Sequence, residues 1–210
     1  MHLSDGILPA GLLAGCWVAT IGLAGLGLKR MKPEDLPTVA VTTSSFFVAS
    51  LIHVPVGPTS VHLLLPGLVG VLLGETAFVA ILMGVVLQSL FFQFGGITAI
   101  GANALIMGVP ALLAGMLFNL LRSRSHVLAG GLAGGLAIVL ATLLLAGSLA
   151  MCGEDFLGVA RLTLITHLPV AIIEAIIVAA TVSFLAKVKP ELIGLCLTPS
   201  LAIDNRHESH

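Results

Sequence analysis

Apolar residues fill this chain in long blocks, at about 7–28, 38–56, 61–73, 76–94, 97–121, 127–150 and 157–186, separated by short polar joints. Roughly 20 helical residues span the hydrocarbon of a bilayer, so blocks of this length predict about seven transmembrane helices. The third block is short and only Gly74-Glu75 divides it from the fourth, so the pair also reads as one helix with a re-entrant piece. Gly67, Gly70 and Gly74 weaken the third block further as a helix of its own. No soluble domain, low-complexity linker or clear repeat interrupts the array. The pattern predicts an all-α integral membrane protein, with one membrane domain over 1–190 and a cytoplasmic tail over 191–210.

Composition agrees. Of the 210 residues, 58% are hydrophobic and only 9% charged, against about 25% charged in soluble domains. A net charge of -1 without a dense Lys/Arg cluster gives no sign of a nucleic-acid partner. Cys16, Cys152 and Cys196 are far apart and form no CxxC pair, so they read as small apolar residues rather than as a disulfide framework or zinc site. With the N-terminus outside and seven crossings, Lys29, Arg30, Lys32, Arg122, Arg124, Lys187, Lys189 and Arg206 all fall on the cytoplasmic side, leaving only Arg161 near the outer face. The first block lacks a basic n-region and is long for an h-region, so it reads as a retained helix rather than a cleaved signal.

On that topology Met1-His2 lies outside, and its chemistry is that of a chelate. The terminal amine, the His2 amide nitrogen and the His2 Nδ1 close two fused rings around one ion and leave a fourth corner open. Ni²⁺ and Cu²⁺ favour such tetragonal nitrogen coordination. The loop Gly57-Pro58-Thr59-Ser60-Val61-His62 lies at the same face, which makes His62 the candidate fourth donor, with the Ser60 hydroxyl near enough in sequence to orient it. His53 lies in the same connection and reads as an interfacial residue or an entry-site histidine. Asp5, Gln88 and Asn103 are candidates to support the chelate: Asp5 by accepting from His2 Nε2 or adding negative charge, the two amides by hydrogen-bonding the amino-terminal segment. Beside the basic loop, His126 carries no assignment, and neither do His207 and His210 in the tail.

Three stretches carry a resemblance: Met1-His2-Leu3-Ser4-Asp5-Gly6-Ile7-Leu8-Pro9, Gly57-Pro58-Thr59-Ser60-Val61-His62-Leu63, and Phe94-Gly95-Gly96-Ile97-Thr98-Ala99-Ile100-Gly101-Ala102-Asn103. Together they resemble the CbiM/NikM family, the substrate-binding S components of energy-coupling-factor (ECF) transporters for cobalt and nickel. The segment around His167 and Glu174 resembles that family's last helix, so the likeness runs to about Pro190. It implies Ni²⁺ or Co²⁺ as transported substrate, held by the Met1 amine, the His2 amide, the His2 imidazole and His62. It further implies a seven-helix fold with the amino-terminal segment inserted into the bundle from outside, in a bacterial or archaeal cell membrane, and a connection to cobalamin biosynthesis. The implied partners are a membrane coupling subunit, two ATPase subunits and sometimes a small accessory membrane protein. His53 departs from the pattern, because the family does not use that position as a ligand.

A carboxylate in mid-membrane is costly, so Glu174, with His167 two turns earlier on the same face, calls for a partner or a role. The alternatives are interhelical hydrogen bonding and a relay or supporting role below the metal. Neither a phosphate-binding GxxxxGK[ST] loop nor an HExxH helix nor a nucleophile elbow is present, so the chain reads as a transporter component, not an enzyme. A self-sufficient secondary transporter using Glu174 and His167 is the second reading.

Overall fold

Helix starts follow the local chemistry of the chain. Pro9 precedes α1 (Ala10–Arg30), Pro37 lies in the first turn of α2 (Leu36–Ala49), and Pro66 opens α3 (Pro66–Leu73), positions where the missing amide costs nothing. Ser125 caps α6 (His126–Ala150) by accepting from the Leu128 amide. The remaining helices are α4 (Ala77–Phe92), α5 (Ile100–Leu121) and α7 (Leu157–Val188). This computed structural model describes residues 2–56 and 59–194, with backbone alone for 53–56 and 59–61.

The all-α expectation holds except at the connection between α2 and α3. There His53–Val56 (β1) and Thr59–His62 (β2) pair antiparallel, with His53 opposite His62. The apolar blocks 38–56 and 61–73 are therefore helical only in part. Val54, Val56 and Val61 favour extended backbone, and Pro55 would break a helix interior. Among the described residues, five stretches are long and apolar enough to cross a membrane: Ala10–Arg30, Pro66–Phe92, Ile100–Leu121, His126–Ala150 and Glu154–Val188. The 14 residues of α2 reach about 21 Å at 1.5 Å per residue, short of the hydrocarbon core. α3 and α4 form one continuous apolar stretch interrupted by a 3-10 turn at Gly74–Thr76.

α3 sits in the centre, against α5 and α6. Gly67 and Gly70 serve that packing: a Cβ at Gly67 would meet the Gly134 backbone, and one at Gly70 would fall on the Ala111 carbonyl. The residues that weaken α3 in sequence thus allow its close approach. On α6, Gly130 and Gly134 lie against Val178 and Val182 of α7, which places that small-residue face inside the bundle. Gly11 and Gly15 on α1 instead meet open space. α1 is fastened by its other side, where Thr20 Oγ1 donates to Gly101 O at 2.8 Å and Trp17 Nε1 to Thr98 O at 3.0 Å.

Two contacts define the end of the bundle opposite the hairpin. Arg30 pairs with Glu75 at 2.6 Å, and Arg122 Nη1 donates to the carbonyls of Ile193 and Gly194 at 2.9 and 2.8 Å. Residues 190–193 form a 3-10 turn with Ile193 buried. Residues 195–210, with Cys196, Arg206, His207 and His210, lie outside the described residues.

Candidate metal centre

The amino-terminal segment is tied to one end of the bundle by hydrogen bonds between side chains and backbone. Asn103, fully buried on α5, accepts from Leu3 N at 2.8 Å through Oδ1 and donates to Leu3 O at 3.0 Å through Nδ2. That reciprocal pair satisfies both polar groups of a residue whose side chain is itself buried. Asp5 then anchors the segment to the start of α5. Its carboxylate accepts from the amides of Ile97, Thr98 and Ala99 at 3.1, 3.1 and 3.2 Å, and from the Thr98 hydroxyl at 2.6 Å. These bonds lower its pKa from the usual carboxylate value, the Thr98 hydroxyl contributing most. Negative charge at a helix N-terminus is also favourable.

The loop that receives Asp5 needs glycine. Gly95 and Gly96 both take φ +81°, a Cβ at Gly95 would press on Leu3 O at 2.9 Å, and one at Gly96 would fall on the Asp5 carboxylate. No larger residue would let the loop close over the segment.

These anchors bring His2 beside His62. The ring centroids are 6.1 Å apart, and Phe94 lies against both, at 5.6 Å from His2 and 4.6 Å from His62. His2 Nε2 is 3.0 Å from Gln88 Oε1, so Nε2 carries the ring proton and Nδ1 keeps its lone pair. The candidate bond from Asp5 to His2 Nε2 is replaced by this one, because the Asp5 carboxylate is occupied by amides 97–99. Burial pushes the His2 imidazole down to about 3, with the Gln88 hydrogen bond acting in the opposite sense. A neutral imidazole is the form that binds metal.

Met1 lies outside the described residues, as does the side chain of Ser60. Among the described residues no group of three or more His, Cys, Asp and Glu comes together. The donors that could hold a metal ion here are the two imidazoles and backbone nitrogen.

His167 and Glu174 are both bound to backbone. His167 Nδ1 donates to Thr163 O at 2.8 Å, one turn back on its own helix, and Glu174 Oε1 accepts from Leu64 N and Leu65 N at 2.9 and 3.0 Å.

Comparison with known proteins decides the affiliation. The profile of CbiM, described as "Cobalt uptake substrate-specific transmembrane region", matches residues 2–192. The chain belongs to the CbiM family. A Haemophilus influenzae protein, provisionally named a metal transport protein, is 40% identical over 92% of this chain and 97% of its own length. The cobalt transport protein CbiM of Sorangium cellulosum is 32% identical over 92% of this chain and 94% of its own, and the fused nickel transport protein NikMN of Rhodobacter capsulatus 31% over 99% and 67%. A crystal structure of a transition metal transporter superposes with a TM-score of 0.78 at 25% identity, covering 90% of this chain and 93% of that one. This member of the CbiM family is accordingly a multi-pass membrane protein of metal transport, not an enzyme.

Three residues of this CbiM-family site carry no assignment in the sequence reading. Phe94 and Thr98 stand inside a quoted motif, yet nothing in their spacing connects Phe94 to two histidines or Thr98 to Asp5. The signal available for Phe94 is the cluster Phe91-Phe92-Gln93-Phe94, three aromatic side chains in four residues where α4 ends. Leu65 is silent in sequence and stands out only by its left-handed backbone, φ 57°.

Proposed function

We propose that this protein is the membrane-embedded substrate-binding subunit of an ECF-type importer for Ni²⁺ and Co²⁺. The ion is held by the Met1 amine, the deprotonated His2 amide nitrogen, His2 Nδ1 and the His62 imidazole. The observation that carries this reading is the His2 ring, fastened through Nε2 to Gln88 so that Nδ1 keeps its lone pair, 6.1 Å between centroids from His62. The Leu3 amide and carbonyl, both taken by Asn103, fix the backbone immediately after the chelate. Gln88 and Asn103 orient the donors, Asp5 seats the segment, and Ser60 belongs to the strand that delivers His62.

Nickel suits the donor set better than cobalt. Low-spin d⁸ Ni²⁺ recovers the cost of deprotonating an amide through square-planar stabilisation, which high-spin Co²⁺ does less well. Cobalt is accepted in the same geometry. The Met1 end faces outside, as the basic residues at the opposite end of the bundle favour, and the membrane is that of a bacterial or archaeal cell. ATP hydrolysis comes from two partner ATPases working through a membrane coupling subunit, with a small accessory membrane protein in some assemblies.

Both bonds of Glu174 go to backbone amides, which favours a structural role over proton carriage and so disfavours a self-sufficient secondary transporter. Radioactive nickel uptake by cells expressing the chain alone, or with the coupling subunit and ATPases, tests the assignment. Uptake only in the full set is expected; equal uptake by the chain alone contradicts it.

A further inference from the structure

Glu174 lies midway along α7 with no exposed surface, and its Oε1 receives the amides of Leu64 and Leu65. These amides belong to the corner where β2 hands over to α3. The corner is strained: Leu65 takes φ 57°, a left-handed region that is costly for a residue with a Cβ. Pro66 follows and has no amide, so Leu64 and Leu65 provide the last donors before the helix begins. Across the hairpin, the Leu63 amide is tied to Ile52 O at 2.9 Å. His62 is the residue that leads into this corner, the last of β2 and two positions before Leu64.

We propose that Glu174 is a positioning residue for the metal site: by holding the left-handed corner at Leu64-Leu65 against α7, its carboxyl group sets where His62 stands relative to His2. The proposal rests on the reading of His62 as a ligand. His2 has separate moorings on α4 and α5 through Gln88, Asn103 and Asp5, so releasing the corner displaces one half of the centre and leaves the other in place. Without the Oε1 acceptor, a buried amide and a part-buried one would lack a partner, and the left-handed corner would have nothing to offset its strain.

The test compares nickel binding by purified full-length chain with an unextended N-terminus: wild type, Glu174→Gln, Glu174→Asp, His62→Ala, and the double variant Glu174→Asp/His62→Ala. Aspartate keeps the charge but is one methylene too short, whereas the glutamine carbonyl accepts both amides at the original length. Glu174→Asp should lose roughly 10–100-fold in nickel affinity, the range found when groups that orient metal ligands are altered. Its nickel absorption spectrum should move to that of His62→Ala, Glu174→Gln should bind within a few fold of wild type, and the double variant should bind no more weakly than His62→Ala alone. Wild-type affinity in Glu174→Asp, multiplying losses in the double variant, or a Glu174→Gln loss as large as that of aspartate would each overturn the proposal while leaving the ligand reading intact. Unchanged binding in His62→Ala would overturn the ligand reading and the proposal together.

Discussion

At the residue scale, the proposed chelate turns on keeping His2 neutral and its Nδ1 lone pair available. Its folded pKa of about 3 lies below the ordinary imidazole value of 6.5, so the unfolded segment takes up a proton that the folded one refuses. Stability from this group is full above pH 6.5 and falls as the pH drops toward 3. Asp5 acts in the same sense, since its depressed pKa contributes stability that is lost as the pH falls through the folded value. The metal-free protein should therefore release its amino-terminal segment on acidification, seen as loss of the His2–Phe94 ring-current shifts in NMR; a segment still seated at pH 3 would contradict this. Asn103→Ala strands the buried Leu3 amide and carbonyl, at a cost of about 1–3 kcal/mol for each unpaired group. Lower thermal stability and weakened nickel binding should appear together in that variant. Gln88 and Asn103 are legible in sequence because an amide inside an apolar helix needs a partner, and the amino-terminal segment is the nearest polar backbone. The engagement of Asp5 is not legible, since its partners stand more than 90 positions away and three of the four are backbone amides.

At the element scale, hydrophobic blocks reveal where the chain is apolar but not whether an apolar stretch is coiled or extended. The blocks ending at 56 and beginning at 61 therefore read as helix where the chain forms a hairpin. Non-helical backbone at such a place is tolerated when protein surrounds it, and Leu63 and Leu64 are buried. The glycines of α3 show the converse error of local reading. Gly67 and Gly70 lower helix propensity, yet the contacts they permit with α6 and α5 are the reason a helix of eight residues can sit in the core. The Gly95-Gly96 loop offers a sharper test. Gly96→Ala forces a left-handed alanine at about 1–2 kcal/mol and drives its methyl group into the Asp5 carboxylate. Nickel binding should fall in that variant, whereas Gly11→Ala, on a face of α1 open to its surroundings, should leave binding unchanged. Equal behaviour of the two would mean that the loop does not hold the amino-terminal segment.

At the scale of the whole molecule, the two ends of the bundle are chemically distinct. One gathers His2, Asp5, Phe94 and His62 around the amino-terminal segment; the other carries Arg30, Glu75 and Arg122, with the 190–194 turn tied to the last of these. This polarity is legible in the positions of the basic residues, and the family in the three motifs. The seating of α3 is not, because it depends on contacts between helices that the sequence separates. The account depends most on the free amine of Met1, since any residue placed before it converts that amine to an amide and moves the chelate away from His62. The most direct measurement is the nickel content and absorption spectrum of purified protein that begins at Met1, beside a form extended by one unprocessed residue. The form beginning at Met1 should hold one nickel per chain as a yellow, diamagnetic complex and the extended form none. Full stoichiometry in the extended form, or a paramagnetic octahedral nickel in the unextended one, would contradict the account.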